Sequence, residues 1–280
     1  HCNEVILLPY YIASMNIEHA YYELTGMYQS FQGVCLVDTF ELAEGKQLPL
    51  MTEENTARVK RQQEMPIFVV IGNPPYNAGQ VNENDNNKNR KYPAIDGRVS
   101  RTYGTASKAT LLTKLGDPYV KAIRWASDRI GDEGIVALVT NSSFVTELTF
   151  DGMRRCLEND FDAIYVLDLG GNVRKNPKLS GSTHNVFGIQ LGVSINFLIK
   201  KKGAERRQAK IYYARVDEFW RKEEKYDFLD STDSIGNVVW EEKKPDARHN
   251  WLTEGMSADF ESFVPLGTNE AKSSKIPGAQ

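Results

Sequence analysis

The sequence predicts an α/β protein built on a doubly wound, mostly parallel, Rossmann-like sheet. Short apolar runs that read as strands alternate with longer periodic stretches that read as helices, the pattern of a sheet wrapped by crossover helices. One of these runs, Ile67-Phe68-Val69-Val70-Ile71-Gly72, is apolar without polar alternation, as expected of a strand covered on both faces, and Gly134 to Thr140 reads as another strand. Polar residues, Asp38 and Asn73, stand at the carboxyl ends of two runs, where open α/β sheets gather their ligands.

Along the chain, Glu4 to Leu8 reads as a strand end, and Pro9 suits the first turn of a helix continuing to about Glu23. Gly33 to Asp38 is a second strand with an acid at its carboxyl end, and Ile67 to Gly72 a third. The polar stretch from Asn77 to Lys114 is too long for an ordinary connection and is expected to be a functional loop with some local helix. Asp117 is an N-cap with Pro118 at the first helical position, and Tyr119, Ile123, Ala126 and Ile130 then share one helix face before Gly131 ends it. Gly134 to Thr140, Phe161 to Leu169 and Gln190 to Lys200 are further strands, with a helix from about Thr149 to Asn159 between the first two. Past Lys200-Lys201-Lys202 the periodicity weakens, although Lys210 to Arg215 is strand-like. A boundary near Gly203 divides the chain into residues 1–203, holding the sheet, and residues 204–280, a second region whose tail from Thr268 lacks core-forming residues and is expected to be poorly ordered.

The global numbers exclude several classes. The chain has 280 residues, 41% hydrophobic and 25% charged, as in ordinary globular proteins. No segment approaches the ~20 apolar residues of a membrane span and none reads as a signal peptide. The three cysteines, Cys2, Cys35 and Cys156, are scattered and read as reduced cytosolic thiols, and neither they nor the four dispersed histidines have metal-site spacing. A net charge of −3 is unfavourable for a duplex-binding surface, so basic character must be local or supplied from elsewhere. The chain starts inside a strand-like run and reads as a piece of a longer polypeptide.

The chemistry concentrates at Asn73-Pro74-Pro75-Tyr76. An exocyclic amine such as adenine N6 is a poor nucleophile because its lone pair is delocalised. Two acceptors aimed at its N–H bonds draw the nitrogen toward tetrahedral geometry and align it with a methyl donor. The Asn73 side-chain oxygen and the Pro74 carbonyl form such a pair, and two prolines hold the carbonyls outward because they fix φ and carry no N–H. Tyr76 offers a flat face for a base taken out of a duplex. A Pro-Pro turn that merely ends a strand is the plain alternative.

On this tetrad the chain resembles N6-adenine DNA methyltransferases in which cofactor motifs precede the catalytic Asn-Pro-Pro-Tyr and target recognition follows. More narrowly, Asn3-Glu4, Leu8 to Ala13, Asn16-Ile17-Glu18 and Asp117 to Trp125 resemble the methyltransferase region of single-chain Type ISP restriction-modification enzymes. The resemblance implies S-adenosylmethionine as cofactor, double-stranded DNA as substrate, and nuclease and helicase parts elsewhere in the polypeptide. It places Glu4 on the cofactor ribose, Asp38 near the cofactor adenine, and Phe187 or Phe197 as a second aromatic against the flipped base, although core packing explains either Phe as well. Lys88, Arg90, Lys91, Arg98 and Arg101 are candidate phosphate contacts, or simply a solvated loop. The glycine loop of such enzymes would precede Glu4, so weak cofactor binding and little activity are expected of these residues alone. Residues 1–203 would then be part of a catalytic domain and 204–280 the start of a target-recognition region. The same tetrad occurs in enzymes that methylate RNA or protein glutamine, and a silent nucleic-acid-binding module is the third reading.

Overall fold

The computed structural model describes residues 1–44, 52–75, 91–176, 178–179, 183–203 and 208–253. The chain opens with β1 (Cys2–Glu4), α1 (Leu7–Thr25) and β2 (Val34–Leu36), and β1 pairs with β2 in parallel. The run from Glu4 to Leu8, read as a strand end, divides: the Glu4 carboxylate accepts the N–H groups of Val5 and Ile6 at 2.8 and 3.0 Å, turning the chain so that the helix starts at Leu7. Next come α2 (Thr39–Glu44), α3 (Glu53–Glu64) and β3 (Val69–Gly72). After residues 76–90, outside the described part, follow α4 (Pro93–Val99), a π-helical turn over Ser100–Gly104 and α5 (Pro118–Arg129). The chain continues with β4 (Gly134–Asn141), the short α6 (Ser143–Thr146), α7 (Asp151–Asp160) and β5 (Ala163–Asp168), then β6 (Val193–Lys200), β7 (Lys210–Arg215), α8 (Lys222–Thr232) and β8 (Glu241–Lys243).

The larger sheet has six strands in the order β3-β4-β6-β5-β7-β8. β3 runs parallel to β4 and β7 parallel to β5, while β6 is wedged antiparallel between β4 and β5, opposing Phe197 to Ala137 on one side and to Tyr165 on the other. Strand alternation sends Val136, Leu138, Ile164, Val166 and Leu198 to one face. There they share a core with Tyr119, Ile123 and Ala126 of α5 and Met153 and Leu157 of α7. The cap read for α5 is present: Asp117 accepts the Tyr119 N–H at 3.4 Å, Pro118 begins the helix, and Gly131 leaves it at φ 63°.

Two expectations need correction. The run from Ile67 to Gly72 is not buried on both faces. Only Val70 of β3 reaches the core, while Val69 is 58% and Ile71 82% exposed. The cause is position, because among the described residues β4 is the single neighbour β3 has in the sheet. Nor does the sheet stop near Gly203. β7 and β8 extend it, and Ile211, Tyr213 and Trp251 belong to the same core. The chain beyond β8 is fastened by Glu158, fully buried on α7, which accepts from Trp251 Nε1 at 2.7 Å and Gln208 Nε2 at 2.6 Å and pairs with His249 Nδ1 at 2.7 Å. Arg154 on the same helix donates to the carbonyls of Phe144, Glu147 and His249. These contacts leave neither buried charge without polar partners.

α7 also anchors the stretch that follows the Asn-Pro-Pro corner. Gly152 lets the helix lie against the π turn so closely that a Cβ there would sit 2.1 Å from the Tyr103 carbonyl oxygen. Alanine for glycine inside a helix normally stabilises. Here Gly152→Ala should instead lower the unfolding free energy by about 2 kcal/mol, read from a lower urea midpoint at unchanged slope. Beside it, burial pushes the Asp151 carboxyl up, but hydrogen bonds from Ser107 Oγ and the N–H groups of Lys108 and Gly152 outweigh burial and hold it below its ordinary value. A depressed carboxyl stabilises the fold above its unfolded-state pKa, and that stabilisation disappears as pH falls through the folded value. Urea midpoints of wild type and Asp151→Asn should therefore differ at pH 7 and converge in acid below about pH 4.

Candidate functional site

The β3–β4 ladder fixes where the corner stands. Phe68 O accepts the Ile135 N–H at 2.7 Å, and the parallel register runs to Gly72 opposite Leu138. Extension ends there because Pro74 and Pro75 have no N–H to donate, and a residue before proline is kept out of the helical region. Asn73 and Pro75 are exposed and Pro74 is half-buried. The corner therefore lies at the carboxyl end of β3, open to solvent at Asn73 and Pro75. Tyr76, Lys88 and Arg90 lie outside the described residues. Lys91 is exposed directly before α4. Arg98 is engaged with Asp128 at 2.9 and 3.0 Å, whereas Arg101 on the π turn is exposed.

The neighbouring strand ends carry a polar rim. At the end of β4 the buried Asn141 accepts the Ser143 N–H at 2.9 Å, and Ser142 N–H donates to Gly192 O at 3.0 Å. At the end of β5, Asp168 accepts from Gly170 N–H at 2.8 Å and Tyr213 Oη at 2.9 Å, and Gly170 and Gly171 turn the chain at φ 62° and 78°. Side chains are costly at Gly171, since a Cβ would lie 2.8 Å from His184 O. Lys225, fully buried, donates to that same carbonyl at 2.5 Å, and burial pushes its amine below the ordinary value.

Between these turns and β6 lies the segment that presents Phe187. Asn185 is buried and uses its whole amide: Nδ2 donates to Leu191 O at 2.5 Å and Gly171 O at 3.4 Å, and Oδ1 accepts from Phe187 N–H at 2.9 Å and Ile189 N–H at 3.3 Å. Phe187, 46% exposed, is thereby held over the end of the sheet from which Asn73 projects, since Val193 at the start of β6 opposes Asn141 at the end of β4. Phe197 lies well down the ladder, between Ala137 and Tyr165 and away from that end. Asn185 carried no sequence signal, because an asparagine in an irregular segment reads as a turn former until its four partners are seen.

The two acids proposed for a cofactor sit at the carboxyl ends of β1 and β2. Glu4 spends Oε1 on its own turn, and Oε2 makes no hydrogen bond among the described residues. Asp38 is buried. It accepts from Phe40 N–H at 2.9 Å, opening α2, and from Tyr92 Oη at 2.6 Å. A ribose diol requires two accepting oxygens, and of the two acids Glu4 has the accessible one.

No protein-family model matches the chain, and no curated protein matches it. Solved structures do. The chain superposes with a TM-score of 0.86 at 35% identity on the Type ISP restriction-modification enzyme LlaGI, solved as a nuclease-deletion mutant with a DNA substrate mimic, over 96% of its own length. It matches the ATP-dependent Type ISP enzyme LlaBIII bound to DNA with the same score and identity. With DrdV, also in complex with DNA, the TM-score is 0.80 and the identity 45%, over 90% of the chain. The fold is thus the Rossmann-like α/β class of restriction-modification methyltransferases. Within that class, the chain is similar over nearly its whole length to part of the Type ISP enzymes, of which it spans 22% and 18% in LlaGI and LlaBIII.

The Phe187 segment provides the test of this geometry. Asn185→Leu should release the Phe187 and Ile189 amides and raise their hydrogen-exchange rates by at least about tenfold, corresponding to about 1.4 kcal/mol. Exchange within β5 and β4 should remain as in wild type. Unchanged rates at Phe187 would mean that the surrounding turns alone hold the segment.

Proposed function

We propose that this chain is the adenine-binding and methyl-transferring part of a DNA N6-adenine methyltransferase in a restriction-modification protein. The single observation that supports it most is the open Asn73-Pro74-Pro75 corner at the carboxyl end of β3, with two oxygens outside any regular hydrogen-bond ladder. In this reading an adenine leaves the duplex and enters beside the corner. The Asn73 side-chain oxygen and Pro74 carbonyl accept its two N6 hydrogens, so that the lone pair gathers on nitrogen as the methyl group arrives. Tyr76 stacks on one side of the base and Phe187 is the better placed of the two phenylalanines to close the other, because it stands at the end of the sheet. Double-stranded DNA is the substrate. Lys88, Arg90, Lys91 and Arg101 would steady phosphates near the extruded nucleotide, a positioning role without sequence information.

S-adenosylmethionine would supply the electrophilic methyl group. Glu4, through Oε2, fits the ribose hydroxyls. Asp38 fits the cofactor adenine only by its backbone or after releasing Tyr92, so the cofactor role rests more on Glu4. Adenine is preferred over an RNA base or a glutamine amide because the structural relatives above 30% identity were solved with DNA or a DNA mimic. The complete Type ISP enzymes are four to five times longer, so nuclease and helicase functions would reside outside residues 1–280.

Transfer of tritium from labelled S-adenosylmethionine to duplex DNA, with the product base identified by mass spectrometry, tests the reading. The assay is run on the full-length polypeptide and on residues 1–280 alone. In the full-length protein N6-methyladenine should form, and Asn73→Ala should reduce kcat at least ~100-fold with DNA affinity unchanged within twofold. The 280 residues alone should bind the cofactor more weakly than micromolar in calorimetry. Methylation of RNA or glutamine in preference to adenine, or an Asn73→Ala protein as active as wild type, would overturn the reading.

A further inference from the structure

The peptide group that leads into Phe187 is held on both sides. Its N–H, that of Phe187 itself, goes to Asn185 Oδ1 at 2.9 Å, and its carbonyl, that of Val186, accepts from Tyr226 Oη at 2.7 Å across forty residues of sequence. Because a peptide group is planar and stiff, hydrogen bonds on its two opposite edges pin the Cα from which the Phe187 ring extends. Tyr226 stands on α8, and the same helix holds the residues before it. Lys222 N–H donates to Thr183 O at 2.9 Å, and the buried Lys225 Nζ donates to His184 O at 2.5 Å. Asn185 O takes the Gly188 N–H at 3.1 Å. An irregular segment has no strand ladder to satisfy its carbonyls. Of the four carbonyls from Thr183 to Val186, three are therefore satisfied by residues 222, 225 and 226 of one helix.

The helix is itself fixed. At its start Arg221 N–H donates to Glu224 Oε2 at 2.8 Å, and further along Phe228 and Leu229 pack on the core formed by Leu167, Leu169, Val186, Val193 and Val216. Lys222 Nζ lies 5.5 Å from the centre of the Tyr226 ring and steadies the phenol. Packing alone would be served by apolar side chains here. Instead a lysine is buried completely, and a tyrosine that is 40% exposed, whose hydroxyl could turn to water, gives it to the one carbonyl beside Phe187. We propose that α8 is the positioning element for the aromatic wall of the base site: Tyr226 and Lys225 hold residues 183–187 in register with the sheet and so set the distance at which the Phe187 ring meets an extruded purine. Both act through Phe187 and are positioning residues. This role rests on the reading that Phe187 closes one face of the base, and it brings chain from beyond β7 into base binding.

The test uses the full-length protein and a duplex carrying 2-aminopurine in place of the adenine it methylates. This fluorescent base brightens when it leaves the stack and is quenched again where aromatic rings sandwich it. Tyr226→Phe removes one oxygen, and Lys225→Met keeps the volume and removes the ammonium. Each should raise the emission of the bound duplex at least about twofold over wild type, as the ring drifts from the base. In turnover on the normal duplex, the double variant should lower kcat at least ~10-fold with the KM for DNA within about twofold. If Lys225→Met fails to fold, because it leaves His184 O without its donor, Tyr226→Phe decides alone. Phe187→Ala separates the two readings. Bright emission and low kcat in Phe187→Ala, with wild-type values in Tyr226→Phe and Lys225→Met, would overturn the role of α8 and leave base stacking by Phe187 standing. Wild-type emission and kcat in Phe187→Ala would overturn both. A rise in KM at wild-type emission in the α8 variants would also overturn the proposal, since it would report a general loosening of the DNA surface and no displaced ring.

Discussion

The parallel ladder between β3 and β4 is the constraint on which the site depends. It holds β3 against the core through Val70 alone, fixes Gly72 opposite Leu138, and so determines where the chain escapes the sheet as Asn73-Pro74-Pro75. Two prolines after the strand end have no N–H to continue the ladder, and Asn73 and Pro75 are exposed where it stops.

Around that corner the fold builds a rim from strand ends rather than from one loop. β6, wedged antiparallel between β4 and β5, begins at that end of the sheet, and Asn185 converts the irregular stretch before it into a fixed one with four hydrogen bonds. On the far side α7 holds both the stretch after the corner, through Gly152 and Asp151, and the chain beyond β8, through Arg154 and Glu158. Asn185, Arg154 and Glu158 are buried with several hydrogen-bond partners each, which is what allows a protein of ordinary composition to place these polar residues so deep.

Much of this was legible in the sequence where the cause is local. The Asp117-Pro118 start of α5, the strands β4 and β5, and the proline corner following an apolar run all rest on neighbouring residues and came out within a few positions. What was not legible depends on distant partners. The exposure of Val69 and Ile71 follows from β3 having no second neighbour among the described residues, and an apolar run looks the same with or without one. The inclusion of β7 and β8 in the main sheet rests on pairing with β5, across more than forty residues of sequence for Ala163 and Lys210, so a change of composition at Gly203 suggested a boundary where the sheet runs on. Within the site, a carboxylate at a strand end was readable, but not that Glu4 would spend one oxygen on its own turn or that Tyr92 would reach Asp38.

The central claim is that the corner after β3 receives a base swung out of DNA. Photocrosslinking measures this directly, with an oligonucleotide pool carrying a single 8-azidoadenine in randomised flanking sequence and the attached peptide identified by mass spectrometry. Attachment within the peptide spanning Asn73 to Tyr76, or at Phe187, is the result the account predicts. Attachment confined to residues 208–253, or spread evenly over the basic surface, would contradict it.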